Sequence, residues 1–239
     1  MLNGSRAILL LAAVAGALAT GRLGVWQLDR AAQKIAIHDA MLRQRALPPL
    51  GEVDLARDAA TASAQQHRST TLQGRWIAAS TVYLDNRPMD GRAGFYALTP
   101  LRLADGSVVL VQRGWLPRDV ADRTRIAAPP APAGEVVVQG RLAAGPSRLY
   151  DFAGAASGPI RQNLELDAFA RETGLPLRPF IVVQEGAAND GLQRHWPQPA
   201  ADVHKHYGYA FQWFAIATAI AVLYVWFRIV RPRQRRRLA

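Results

Sequence analysis

Cysteine is absent from all 239 residues. Its absence removes disulfide frameworks, iron–sulfur clusters, thiol nucleophiles and every cysteine-based zinc or copper site. Compartment stays open, because a cysteine-free chain suits either redox poise. Lysine is nearly missing too: of the 29 basic residues only Lys34 and Lys205 are not arginine. The sequence has no P-loop, no Rossmann glycine fingerprint, no Gly-x-Ser-x-Gly elbow and no His-Glu-x-x-His. Tandem repeats and low-complexity tracts are absent as well. The histidines (His38, His67, His195, His204 and His206) are scattered. Asp85, Asp90, Asp105 and Asp119 sit in turns, where Asp usually serves the backbone. With no catalytic constellation, the expectation is a protein that is not an enzyme.

What is present is apolar bulk and unevenly placed charge. Half the residues are hydrophobic, which excludes disorder and allows a sizeable core. The net charge of +11 suggests a nucleic-acid or anionic-surface binder until it is located. Six arginines (Arg228, Arg231, Arg233, Arg235, Arg236, Arg237) fall in the last twelve residues, with no acid among them. A cluster of that length argues against DNA or RNA as a partner.

The arginines follow a run from Tyr207 to Phe227 that holds no charged residue across 21 positions. At helical rise it spans roughly 30 Å, the thickness of a bilayer's hydrocarbon core. Tyr207, Tyr209 and Trp213 lie near one end, Tyr224 and Trp226 near the other, as interfacial aromatic belts do. The N-terminal apolar run reads two ways. Arg6, a short apolar stretch and Ala17-Leu18-Ala19 fit a cleavable signal peptide. A helix continuing to Trp26, with Arg22 snorkelling, fits an uncleaved anchor, which Trp26 favours as a belt residue. The expected organisation is a cytoplasmic segment 1–6, a first span 7–26, an exported domain 27–205, a second span 207–227 and a cytoplasmic arginine-rich segment 228–239. The positive-inside rule sets that orientation, and the lack of an Arg/Ser-rich presequence favours a bacterial inner membrane.

Between the spans, Gln27–Arg45 reads as a helix with Leu28, Ala32, Ile35 and Leu42 on one stripe, and 52–66 as a short helix or loose connection. From Ser69 the pattern turns to strands: 69–76, 81–86, 95–103, 107–113, 135–142, 161–164 and 180–184. Asp105-Gly106 marks a hairpin, and Asp167 is the expected cap of a helix ending at Gly174. The fold class is therefore a membrane protein in which two transmembrane α-helices flank an exported α+β domain, with a mainly antiparallel sheet or open barrel.

One cluster carries chemistry. At the start of the second span, His206, Tyr209, Ala210 and Trp213 share a helical face, and Trp26 and Gln27 end the first span at the same depth. A histidine there is able to ligate haem iron; equally, it is able to bond lipid headgroups beside anchoring aromatics.

Five segments taken in order resemble the surfeit-locus-one family of cytochrome c oxidase assembly factors. They are Gly24-Val25-Trp26-Gln27-Leu28-Asp29-Arg30 with Lys34; Tyr83-Leu84-Asp85-Asn86-Arg87 with Gly94-Phe95-Tyr96; Thr99-Pro100-Leu101; Val109 to Pro117; and His206-x-x-Tyr209-Ala210-x-x-Trp213-Phe214. The resemblance implies an accessory protein that receives haem a and assists its insertion into subunit I of the haem-copper oxidase, alongside other assembly factors and membrane lipid. A cofactor-free scaffold that holds an oxidase intermediate is the alternative. It maps the haem ligand onto His206, the metal being the haem iron alone, with Tyr209, Trp213, Trp26 and Gln27 around it. The family's upstream Asn is replaced by His204-Lys205, which makes His204 the fallback ligand; Gln112 stands where the family usually has Asn. Arg113-Gly114-Trp115 and Asn86-Arg87 have two readings. Either Gly114 permits an unusual backbone while Trp115 fills the core, or Arg87 and Arg113 meet haem propionates or an acidic partner.

Overall fold

The computed structural model describes residues 4–119, 121–122, 125–150, 158–187, 190–197 and 203–237. Parts of the expected end segments 1–6 and 228–239, including the side chains of Arg6 and Arg235–Arg237, lie outside the described residues. The chain divides into two units: Met41–Gln198, and Met1–Ala40 with Pro199–Ala239.

Among the described residues the first of these is built on seven strands: β1 (Ser69–Trp76), β2 (Val82–Leu84), β3 (Gly94–Leu103), β4 (Val108–Pro117), β5 (Glu135–Ala143), β6 (Ile160–Arg161) and β7 (Leu177–Gln184). Their order is β1-β5-β7-β4-β3-β2-β6. The last residues of β3 also pair with the end of β1, from Gly74 opposite Leu103 to Trp76 opposite Leu101. The ring β1-β5-β7-β4-β3 thereby closes, and the expected open barrel is a closed one. β2 and β6 extend from β3, and the β4–β7 and β2–β6 pairings are parallel. Asp105-Gly106 makes the β3–β4 hairpin, with Gly106 at φ +82°, where a side chain would be strained.

Strand alternation sorts the apolar residues. Leu72, Leu101, Leu103, Val109, Val111, Val138, Leu142, Phe180 and Val182 fill the ring, and Leu55, Ala56 and Ala62 add to that cluster. Ala62 lies on α2 (Ala59–Ala64), whose first turn is capped by Asp58 through the Thr61 amide at 2.9 Å. Opposite faces of β2, β3, β4 and β7 give a second cluster, Val82, Leu84, Leu98, Leu110, Trp115, Ile181 and Val183, with Phe169 of α3 (Leu166–Thr173). Glu165, not Asp167, holds the cap position of α3, and Gly174 ends the helix in the left-handed conformation as expected.

The second unit carries α1 (Gly4–Ala46, its last turns lying beyond the unit) and α4 (Val203–Val225). A π-helical stretch, Trp226–Val230, follows α4 and leads into α5 (Arg231–Arg237). Both long helices are apolar and long enough to cross a membrane, and almost none of their apolar stretches is buried. α1 absorbs both the expected first span and the expected helix Gln27–Arg45 without a break. The expected stripe is not its covered face: Leu28, Ile35 and Leu42 are exposed, while Gly24 and Ala31 are buried and Gln27 is half-buried. Apolar periodicity names a face of a helix but not what covers it.

Candidate functional site

On α4 the shielded positions are Val203, His206, Ala210, Trp213, Ala217, Ile220 and Tyr224, spaced by threes and fours along one face. On α1 they include Gly16, Thr20, Gly24 and Gln27, mostly small residues of the kind that let apolar helices approach closely. A Cβ added at Gly16 would meet Ile220 at 3.5 Å; one added at Gly24 would fall 2.7–2.9 Å from the Phe214 ring. Position 24 therefore accepts glycine alone without displacing an aromatic ring. The matched pairs Gly16–Ile220, Gly24–Phe214 and Gln27–His206 run in opposite senses, so the helices are antiparallel.

At the end of that seam His206 Nδ1 lies 2.7 Å from Gln27 Oε1. An amide oxygen only accepts, so Nδ1 carries the proton and donates. In the neutral imidazole the lone pair is then on Nε2, directed away from the Gln27 bond. Metal-binding imidazoles are commonly fixed in this way, the far nitrogen tied to an oxygen acceptor that sets tautomer and ring orientation.

The other expected residues are dispersed around this pair. Trp213 shares the shielded face with His206 and Ala210. Tyr209, 51% exposed, and Trp26, 54% exposed, point outward. His204 is exposed two residues before His206, about 200° around the helix, away from the Gln27 side. Gln27, expected beside the cofactor, is the hydrogen-bond partner of the histidine.

Arg87 and Arg113 belong to the barrel unit, and both are buried. Arg87 donates to Ser147 Oγ (3.0 Å) and the Gln162 carbonyl (2.7 Å), and lies 5.8 Å from the Tyr96 ring centre. Its own carbonyl accepts from the Trp115 indole at 2.6 Å. Burial pushes its guanidinium below the usual arginine value, partly offset by Tyr96 and Asp85. The Arg87 guanidinium is thus held by partners inside the barrel unit.

Arg113 stands where the β3–β4 register slips: Ala97 pairs with Gly114 and Leu98 with Gln112, leaving Arg113 as the extra residue of a bulge. The bulge aims its guanidinium over the Trp76 ring, 4.8 Å from the centre, with Nη2 donating to the Pro130 carbonyl (2.8 Å) and Asp190 (3.3 Å). Gly114 is not among the residues with a left-handed φ. A Cβ there would meet Leu192 at 2.5 Å, because the Leu192–Gln193 segment bridges onto Trp115 by two backbone hydrogen bonds. Close approach, not conformation, requires that glycine. Trp115 is fully buried in the second cluster, as one of the two readings had it.

A model of the SURF1 family matches residues 14–218. The chain belongs to the SURF1 family. A SURF1-like protein of Rickettsia felis is 24% identical over 214 residues, covering 86% of this chain and 90% of that relative. One from Rickettsia bellii is 25% identical over 208 residues, 84% and 83% of the two chains. A SURF1-like protein of Dictyostelium discoideum is 40% identical over a stretch of 50 residues, 21% of this chain and 18% of its own. The SURF1 family is linked in general to cytochrome oxidase assembly. The SURF1 match takes in Gln27, His206, both buried arginines and the whole barrel; the arginines from Arg228 onward fall outside it.

Among the described residues no group of histidine and acidic side chains is arranged to hold a metal ion. Trp76, Asp190 and Arg194, which gather around Arg113, carry no sequence signal that would have marked them.

Proposed function

We propose that this chain is a bacterial inner-membrane assembly factor, not an enzyme, that takes haem a as cargo through His206 and assists its insertion into oxidase subunit I. The observation that carries the reading is the Gln27–His206 hydrogen bond, which holds Nδ1 to an acceptor and turns Nε2 outward at the mouth of an apolar helix pair. A neutral imidazole oriented in this way binds an axial position through Nε2. The exposed apolar surfaces of α1 and α4 support two spans, and the small-residue seam against α4 supports retention of the first as an anchor. The arginines from Arg228 onward support a cytoplasmic placement of both ends, with the barrel in the periplasm. Other assembly factors, subunit I and lipid are the partners of this reading. Trp213 supplies an apolar wall, while His204 and the outward Tyr209 and Trp26 serve the interface.

The test is the protein purified in detergent from cells that make haem A. Wild type shows Soret absorbance, and His206→Ala loses it, whereas His204→Ala keeps it. Unchanged haem in His206→Ala removes that residue as ligand. Haem-free wild type that still co-purifies subunit I would assign the chain as a scaffold instead.

A further inference from the structure

In the barrel unit β7 leaves the ring early. Its pairing with β5 covers Gly140–Ala143, with a last hydrogen bond from the Glu185 amide to the Gln139 carbonyl. Among the described residues no strand pairs with Glu135–Val138 on that side. Since Gln139 turns its carbonyl toward the β7 side, backbone alternation turns the N–H and C=O of Val137 the same way. Val137 is 61% exposed. This is a short free strand edge in an otherwise closed ring.

Beside that edge lies a cavity of about 310 Å³ lined by Trp76, Arg113, Val136–Val138, Gln184, Asp190 and Arg194 among others. Its charge does not balance. The side chains of Arg113 and Arg194 are 3% and 5% exposed, and both pair with one carboxylate, Asp190, at 3.3 and 2.7 Å. Elsewhere in the unit, buried Arg161 has a two-pronged partner in Glu172, and Arg178 has Asp105, Ser107 and two carbonyls. At the cavity, the Arg113 Nε donor is buried without a hydrogen-bond partner among the described residues. Burial is the main influence lowering the Arg113 guanidinium; Asp190 opposes it and Arg194 adds to it. Two enclosed cations, one anion and an unused guanidinium donor leave room for a further negative charge.

We propose that the free edge of β5 and this cavity form a docking site for an extended acidic segment of another protein, which adds as a strand along Val136–Val138 and seats one carboxylate against Arg113 and Arg194. The edge supplies sequence-tolerant main-chain bonds, and the arginines supply selection for the acid. The occupant is a peptide because the ladder groups and the cation lie side by side, and a small carboxylate uses only the second. This inference does not rest on haem binding.

The test titrates full-length protein in detergent with a fluorescein-labelled acetyl-Thr-Val-Glu-Val-Thr-amide peptide, read by polarisation. The glutamine counterpart binds at least tenfold more weakly. Val137→Pro removes the outward N–H at an edge position where proline is tolerated, and abolishes binding with an unchanged circular dichroism spectrum. Butyrate displaces the peptide only far above the concentration at which unlabelled peptide does. Equal binding of the two peptides, full binding by Val137→Pro, displacement by butyrate as effective as by peptide, or no binding to the wild type would each overturn the proposal. Because the peptide comparison uses the wild-type protein, the outcome does not depend on a variant folding.

Discussion

The two units treat polar groups in opposite ways. The barrel unit buries arginines and closes most of them with carboxylates and carbonyls: Arg161 on Glu172, Arg178 on Asp105 and the 55–56 carbonyls. The helical unit leaves Leu11, Leu18, Phe211, Val222 and Leu223 exposed and shields a glutamine–histidine pair. In a bilayer that inversion is stable, since lipid solvates the apolar surface and the helices satisfy their own backbones. Electrostatic and packing perturbations should therefore register in different observables. In the barrel they change stability; in the helix pair, on the proposed function, they change haem retention.

The largest expected contrast comes from Trp115→Ala. Removing a fully buried indole and its bond to the Arg87 carbonyl costs about 3–5 kcal/mol, read as a lower barrel melting temperature by near-ultraviolet circular dichroism. A loss below about 1 kcal/mol would mean that the Arg87–Trp115 layer is not the keystone it looks to be. Next comes Gly24→Val, which pushes Phe214 away and parts Gln27 from His206. Co-purified haem should drop severalfold while barrel melting stays put. Melting that moved with it would blur the division between the units.

The smallest effect is in pH. Asp105 is held below its ordinary value of 3.8 by the Ser107 hydroxyl and amide, with help from Arg178 and Arg57. Glu172 is held below 4.5, mainly by its hydrogen bonds from Arg161. His67 is held below 6.5 by burial and by Arg141 and Arg45. A depressed folded-state value means that the unfolded chain takes up protons first, so stability is complete above the unfolded value and falls as pH drops. His67 thus weakens the barrel as pH falls below about 6.5, and the carboxylates do so below about 4.5. His67→Asn, which suits the φ of +70° there, should flatten the first part of the melting profile and leave the second. An unchanged slope between pH 7 and 5 would show that His67 is not its source.

Strand positions were legible because alternation and Asp-Gly are local: β1 matches residue for residue, and the hairpin at Gly106 stands where it was read. Ring closure through Gly74–Leu103 and the parallel β4–β7 pairing join segments far apart in sequence and leave no local mark. The candidate site was legible in His206 and Gln27 as neighbours in depth. Helical spacing could not decide that Tyr209 faces outward while Trp213 faces inward, because a step of three and a step of seven from His206 both fall near the same helical face. The task of Gly114 was misread for a similar reason: a glycine signals that something special happens, without saying whether a torsion or a neighbour demands it.

The bulge at Arg113 acts on β4 as a frameshift acts on a reading frame. Leu110 and Trp115 are five residues apart, an odd interval that would send them to opposite faces of a regular pleat, yet both enter the same cluster. Val111 lines the ring while Leu116, also five residues on, returns to that side among Tyr83, Phe95 and Leu192. Losing one residue between Gln112 and Trp115 would exchange the two faces of everything after it, driving the indole into the ring. The strand's length in this stretch is a phase, and its parity, more than any single contact, decides which side of the wall the tryptophan stands on.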